Sequence, residues 1–317
     1  MAIDPVEQQP DSERGAEERS SAGERLAAAA VNEFKRQAAR PLPPGLYLVA
    51  TPIGNLADIT LRALHVLAHC DAIYCEDTRV STRLMQHYGI AAPLKAFHDH
   101  NEEGEIPRIL AKIAKGARVA VISDAGTPLV SDPGFKLVRA CAAEGVPVTS
   151  LPGPSALLAG LTSSGLPTDQ FTFAGFLPPK QAARRARLSQ LQSAPGTLVF
   201  FEAPQRISES LADMAHVLGE RAGVVARELT KLHEELARGT LAELADQFAG
   251  REVKGEIVIL AGPASRREAS DAEIAEALKT ALETMRLKDA AAAVADALGV
   301  QKSRVYALGL KIKDQES

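Results

Sequence analysis

Short apolar runs alternate with stretches of helical periodicity between Gly45 and Gly262, and this alternation constrains the fold most. Four runs in the first part are predicted strands: LYLVA (46–50), AIYCE (72–76), RVAVIS (118–123) and PVTSL (147–151). The stretches between them are predicted helices, at 60–70, 81–89, 105–116 and 135–145. Strands and helices in this alternation build a largely parallel sheet with helices on both faces.

A second set of runs follows the segment PGPSA (152–156). Its predicted strands are TFAGFL (172–177), TLVFFE (197–202), GVVAREL (223–229) and GEIVILAG (255–262), with helices at 180–193, 204–218 and 240–249. The sequence therefore predicts two α/β domains, at 45–153 and 154–264.

The two ends of the chain carry no strand signal. Residues 268–314 are predicted to be helical, and Gly299 can end one helix before QKSRVYALGL begins the next, as in a helix-turn-helix. A helical hairpin that caps the second domain is the alternative. Residues 1–44 are predicted to be disordered to about Gly23, with one short helix after it.

Composition indicates a globular protein of the cytoplasm. The net charge of −4 gives no bulk attraction to nucleic acid, so any such binding depends on local basic clusters. No apolar run approaches the roughly 18 residues of a membrane helix, so no membrane span is expected. Cys70, Cys75 and Cys141 have no metal-binding spacing and are expected to be buried, reduced thiols.

Four loops rich in Gly, Pro and small polar residues follow predicted strands. They are ATPIGNLADIT (50–60), EDTRVSTR (76–83), SDAGTPLVSDPG (123–134) and LPGPSALLAG (151–160). Ligands of open parallel sheets bind beyond the carboxyl ends of the strands, where such loops lie. The chain has neither a GxGxxG nor a GxxxxGK[ST] motif, so a small ligand other than a dinucleotide or nucleoside triphosphate is expected.

These loops, with FHDHNE (97–102), FFEAPQRISESL (201–212) and ARELTKLHEE (226–235), resemble the tetrapyrrole-methylase-like (class III) methyltransferases. Within that family they are most similar to the branch that methylates a ribose 2′-hydroxyl of a cytidine in the decoding centre of 16S rRNA. The resemblance covers about 45–264, and a C-terminal helix-turn-helix is also a feature of this branch.

The resemblance implies two α/β domains of the tetrapyrrole methylase type, a homodimer, and S-adenosylmethionine in the cleft between the domains. The predicted cofactor-binding residues, carried over from the family, are Pro52, Gly54, Asp124, Ala125, Gly126, Thr127, Pro128, Asp132, Pro154, Ser155 and Ala156. The loop after the first strand is shorter than in tetrapyrrole-modifying relatives, which favours the RNA branch.

Transfer of a methyl group to a ribose hydroxyl benefits from a general base. Asp99, which follows a further short predicted strand, LKAF (94–97), is the first candidate, and His98 and Asp77 come next. A turn-forming role for Asp99 is the alternative. His98 and His100 could suggest a metal site, but no third ligand has suitable spacing, so none is expected.

Three basic clusters are candidate RNA contacts, because phosphates dominate the affinity for nucleic acid. Their members are Lys180, Arg184, Arg185 and Arg187 in the first cluster, Arg206 and Lys231 in the second, and Lys302 and Arg304 in the third. For 180–188 a solvated helix face is the alternative. With 4% aromatic residues and no Trp, no platform for stacking bases is evident.

Two other functions remain open at this point. A methylase of the same fold could act on a tetrapyrrole precursor, although the basic clusters would then have no role. A regulator without enzymatic activity could use the C-terminal helices on DNA, but these helices lack a clearly basic recognition surface.

Overall fold

The computed structural model describes residues 11–264 and 270–315. The chain divides after Pro263 into two compact units. No helix in the described residues is both long and apolar enough to span a bilayer. All three cysteines are free and buried, as predicted, and burial raises the pKa of Cys70 to about 12.

The N-terminal helix α1 (Asp11–Ala38) is longer than predicted. Residues 11–23 were expected to be disordered and are helical, while residues 1–10 lie outside the described residues. Ala, Glu and Arg make up seven of these 13 residues, and their helix propensity outweighs the polar composition that suggested disorder.

The first sheet has five strands, all paired in parallel as predicted. In chain order these are β1 (Gly45–Val49), β2 (Ala72–Cys75), β3 (Leu94–Ala96), β4 (Arg118–Ile122) and β5 (Val148–Leu151), and their order across the sheet is β3-β2-β4-β1-β5. Helices α2 (Leu61–His69), α3 (Thr78–His87), α4 (Glu102–Ala114) and α5 (Phe135–Ala143) cover it. Successive residues of β1 point to opposite faces of the sheet: Tyr47 packs against α2 and α3, and Leu46 packs against α4 and α5. Helices therefore cover both faces of this sheet.

The second sheet is mixed, and the prediction of a largely parallel arrangement is wrong for it. Its strands are β6 (Phe171–Phe176), β7 (Thr197–Glu202), β8 (Ala222–Arg227), β9 (Glu235–Thr240) and β10 (Ile257–Ala261), in the order β6-β7-β10-β8-β9. Only β6 and β7 pair in parallel. The sequence analysis missed β9, because its charged residues replace an apolar run. Glu235 of β9 pairs with Arg227 of β8 at 2.8 Å.

Four helices accompany the second sheet: α6 (Ala156–Ser164), α7 (Gln181–Leu191), α8 (Ile207–Leu218) and α9 (Leu241–Phe248). Helices α7 to α9 share one core with the sheet, whereas α6 packs on the opposite face. Ile53, from the loop after β1, is buried in the core on the α6 side. The two halves of this unit are therefore joined by a shared apolar core.

The C-terminal unit contains α10 (Asp271–Leu282), α11 (Leu287–Leu298) and α12 (Lys302–Gln315), and its core includes Ile274, Leu278, Val294 and Val305. Gly299 has a φ of 65° and ends α11, as predicted. At Gly309 a Cβ would overlap the side chain of Leu287, so α12 packs closely against the start of α11 there.

Candidate active site

A cavity of about 360 Å³ lies where the two α/β halves meet. This volume falls in the range of roughly 300–1,000 Å³ that is typical of small-molecule sites. The first half contributes Ile53 and residues of the 123–134 loop, and the second contributes the ends of β6, β7 and β8 and the start of β10.

The loop 123–134 is held rigidly between two neighbouring loops. The N–H of Thr51 donates to the carbonyl of Gly126 at 2.9 Å, and the N–H of Gly126 donates back to Thr51 at the same distance. The hydroxyl of Thr51 donates to the carbonyl of Ser123, and that of Thr127 to the carbonyl of Pro154. The first, third and fourth Gly/Pro loops thus form one fixed cavity wall.

Backbone strain is concentrated around this cavity. Leu129, Ser131, Glu228 and Thr230 are the non-glycine residues with positive φ in the described chain. They form two pairs, and the residue between the members of each pair, Val130 or Leu229, lines the cavity. Such conformations cost about 1–3 kcal/mol each and are common at functional sites.

Two aspartates give the first-half wall its charge. Burial raises the pKa of Asp124, although its carboxylate accepts the N–H of Asp77 at 3.1 Å. Burial also raises the pKa of Asp132; the side chain of Ser123 opposes this shift in part, and the nearby Glu76 and Asp124 add to it. The Oδ2 atom of Asp132 is buried and has no hydrogen-bond partner in the part of the chain that is described. This wall suits a ligand that carries positive charge and hydrogen-bond donors.

Seven of the predicted cofactor residues line the cavity: Asp124, Ala125, Gly126, Thr127, Asp132, Ser155 and Ala156. The other four lie just outside it. Ile53 takes the place expected for Pro52 and Gly54, and Gly54 packs against the side chain of Lys231. Pro128 lines a small adjoining cavity with Asp132, and Pro154 supplies the carbonyl that Thr127 binds.

The sequence analysis missed the lining residues of the second half, which include Phe176, Phe201, Glu202, Leu229, Glu256 and Val258. The position of Glu202 at the carboxyl end of a strand was a usable signal. No such signal existed for Glu256 and Val258, because β10 runs antiparallel to β7 and begins, rather than ends, at the cavity.

The three predicted bases have different surroundings. Asp77 caps α3 and pairs with Arg79 at 2.6 Å, and the hydrogen bonds from Arg79 lower its pKa to about 2, which makes it a weak base. Asp99 and His98 do not line the cavity. The neighbouring Phe97 lines the small adjoining cavity with Asp132. The role of Asp99 and His98 as base stays a prediction.

The structure removes Arg184 from the predicted RNA surface. Its side chain is 1% exposed and binds Asp213 at 2.7 Å and Glu209 at 3.2 Å. Arg185 pairs with the same Asp213, whereas Lys180 and Arg187 are exposed. The alternative of a plain solvated helix face is therefore also wrong for Arg184.

The other predicted RNA contacts are mostly ion-paired. Arg206 binds Glu202, and Lys231 lies between Glu228 and Glu256 at 2.7 and 3.1 Å. In the C-terminal unit Arg304 pairs with Asp271 at 2.7 Å, and Lys302 is exposed at the start of α12.

Comparison with known proteins connects this site to a class. Residues 45–245 match the family of tetrapyrrole (corrin/porphyrin) methylases, and residues 268–313 match the RsmI C-terminal HTH domain. Solved structures of the cobalt precorrin-4 methyltransferase CbiF and of the methyltransferase CobJ have the same fold. Each superposes with a TM-score of 0.53, at 19% and 20% identity, covering 68% and 71% of this chain and 94% and 97% of the solved chains.

The chain belongs to the tetrapyrrole (corrin/porphyrin) methylase family. Within it, the chain is similar to proteins named ribosomal RNA small subunit methyltransferase I. The protein of that name from Mesorhizobium japonicum is 51% identical over 278 residues, 87% of this chain and 95% of the relative. The one from Escherichia coli O157:H7 is 45% identical over 84% of this chain and 94% of the relative.

Proposed function

We propose that this protein is an S-adenosylmethionine-dependent methyltransferase that modifies a ribose 2′-hydroxyl of a cytidine in 16S rRNA. The observation that carries the proposal is a donor-sized, acid-walled cavity in a chain about half identical to a named small-subunit rRNA methyltransferase. Membership in a family of methylases argues against a regulator without enzymatic activity.

The residues present fit a sulfonium donor. Asp124 and Asp132 supply negative charge for its cationic groups. Ile53, Leu229 and Val258 offer an apolar surface for an aromatic base. When bound, the donor supplies an electrophilic methyl group on sulfur.

The protein must then align the acceptor hydroxyl and take its proton. Alignment of two reactants can contribute several kcal/mol to the lowering of the barrier. Of the carboxylates at the cavity, Asp132 suits proton removal best. It has an unpaired oxygen and a raised pKa, whereas Glu202 is occupied by Arg206 and Ser210. We therefore propose Asp132 as the proton acceptor, with Asp99 as the alternative.

One assay tests the reaction. The protein is incubated with tritiated S-adenosylmethionine and small ribosomal subunits from a strain that lacks the modification, and the RNA is then hydrolysed in alkali. A 2′-O-methyl group blocks alkaline cleavage at its own nucleotide, so label is expected in an alkali-resistant dinucleotide that begins with cytidine. Label in mononucleotides, in protein or in no product would falsify the proposal.

The proposal also covers the oligomeric state of the protein and the compartment in which it acts. We infer a homodimer that acts on small subunits in the cytoplasm, on the basis of the family and of the RNA named for its relatives. Light scattering of the full chain tests the dimer, for which a monomer mass at micromolar concentration would be the contrary result.

A further inference from the structure

Phe176 has an unusual position at the cavity. Its side chain is 55% exposed and also lines the cavity, so it lies at the mouth. Among the described residues it is the one large, exposed apolar side chain in the lining. Phe201, the other aromatic residue of the lining, gains stability from the apolar area that it buries. The exposed ring of Phe176 has no such explanation.

A β-bulge in β6 determines where this ring points. Phe173 pairs with Val199, and Phe176 pairs with Phe201. Between these two pairs β6 advances by three residues while β7 advances by two. Gly175 lies in the bulge with a φ of 66°, a conformation that favours glycine. Bulges are often found next to active sites, where they redirect a side chain.

The extra residue moves Phe176 to the cavity side of the sheet. Ala174 packs toward α7–α9, and strict alternation would send Phe176 to the same side. Instead Phe176 shares the face of Phe173, and Leu177 takes the helix side, where it is 2% exposed. The rings of Phe173 and Phe176 both contact that of Phe201, with centroids 4.9 and 5.8 Å apart. The exposed ring is thus supported by two half-buried aromatic rings.

We propose that Phe176 is the platform on which the base of the acceptor nucleotide stacks during methyl transfer, an inference that rests on the proposed function. A ribose whose hydroxyl reaches the cavity must leave its neighbours in the RNA, and its base then loses stacking partners. Proteins recognise such splayed nucleotides by stacking the bases on aromatic side chains. The aromatic ring of Phe176 provides that surface at the cavity mouth.

A basic residue that follows the ring closely in the chain favours a nucleic acid over an apolar partner. Lys180 lies four residues after Phe176, just before α7 begins at Gln181, and its exposed side chain is available to phosphates. The opposite rim lies close by, since a Cβ on Gly175 would be 3.6 Å from the hydroxyl of Ser131. The acceptor therefore enters between a strained loop and an aromatic ring.

The test compares Phe176→Ala, Phe176→Leu and Phe176→Tyr in the full-length protein. Phe171→Ala is the matched control, because Phe171 is 40% exposed on the same strand but does not line the cavity. We expect kcat/KM for small subunits to fall roughly 5- to 150-fold in the Ala variant, as base–aromatic stacking of about 1–3 kcal/mol implies. The loss should be mainly in KM, the Leu variant should resemble Ala, and Tyr should restore activity.

Three further measurements separate this role from others. Calorimetry with S-adenosylhomocysteine should give unchanged affinity in all variants, and a loss in the Ala variant would mean that the ring contacts the donor instead. Light scattering should give an unchanged mass, and a change would make the ring a subunit contact. Full activity of the Ala or Leu variant also overturns the inference.

The wild-type protein is measured in parallel. If it produces no alkali-resistant label, the proposed function fails and the platform fails with it. If the wild type is active and the Ala variant is equally active, only the platform fails.

Discussion

Asp132 and Arg184 are both ionisable side chains withdrawn from water, and their partners give them opposite roles. Asp132 keeps one buried oxygen without a partner among the described residues, so its charged form is costly and its pKa is raised. Arg184 binds two carboxylates and the carbonyl of Pro179, so its charge is compensated. An uncompensated buried group is available for chemistry, whereas a compensated one holds structure.

The proposed role of Asp132 predicts a large effect of Asp132→Asn on turnover. Because the amide has the same shape but accepts no proton, kcat should fall by about 10²–10⁴-fold, the usual contribution of a general base. Stopped assays with small subunits measure this, and Asp169→Asn, at an exposed turn, is the control. If Asp99→Ala abolishes turnover and Asp132→Asn does not, the base is Asp99.

At the scale of elements, buried ion pairs fix α7 against α8. Burial alone would raise the pKa of Asp213, but hydrogen bonds from Arg185 and Arg184 outweigh it and lower the pKa. Both partners of the Arg184–Asp213 pair are 1% exposed. The basic helix that follows Phe176 in the chain is therefore held in place by two of its own arginines, Arg184 and Arg185.

Replacement of Asp213 by Asn should destabilise the protein strongly. Removal of one partner of a buried ion pair costs about 3–5 kcal/mol when the remaining charge is left uncompensated. Glu209 and the carbonyl of Pro179 still bind Arg184 in this variant, so we expect a loss at the lower end of this range, about 3 kcal/mol. Urea unfolding at pH 7 measures the loss of unfolding free energy. Arg187→Ala, an exposed position on α7, is the control, and its free energy of unfolding should differ from that of the wild type by no more than about 0.5 kcal/mol.

The pH dependence of the unfolding free energy tests whether the charge of Asp213 causes this loss. A carboxyl whose pKa is lowered by folding stabilises above its unfolded pKa, about 4, and this stabilisation is lost as pH falls through the folded pKa. The difference between wild type and Asp213→Asn should therefore shrink below about pH 4. A difference that does not depend on pH would point to packing instead.

The exposed residues of the same helix are the ones to test for RNA contact. Lys180→Ala with Arg187→Ala should weaken binding to small subunits and reduce the slope of log K against log salt by about 0.7–0.9 per lost phosphate contact. Lys115→Ala with Arg139→Ala, also exposed but in the first half, is the matched control. An unchanged slope in the first variant would restore the solvated-face interpretation for Lys180 and Arg187.

Strands and helices with a regular pattern of apolar residues were predictable from the sequence. Single residues that depart from such a pattern were not. The runs that became β1, β2 and β4 are buried on both faces, so the sequence shows them directly. Arg184 and Phe176 could not be assigned in this way. A charged side chain signals exposure until its buried partner Asp213 is known, and one inserted residue in β6 reverses the side to which Phe176 points.

At the scale of the whole molecule, the two units have separate cores. The apolar clusters of the α/β unit contain residues between 42 and 261, and that of the C-terminal unit contains residues between 274 and 312. All residues that line the cavity lie between 53 and 258. We therefore expect that a substitution in the core of the C-terminal unit leaves donor binding unchanged.

The substitution Gly309→Val should damage the C-terminal unit and spare the cavity. The new side chain would overlap Leu287, and overpacking of this kind costs about 1–3 kcal/mol. Because the helix-turn-helix unit is expected to serve RNA binding, the affinity for small subunits should fall, while calorimetry should give the wild-type affinity for S-adenosylhomocysteine. Ala307→Val adds volume at an exposed position of the same helix and should change neither affinity. A parallel loss of donor affinity in Gly309→Val would mean that the two units do not act independently.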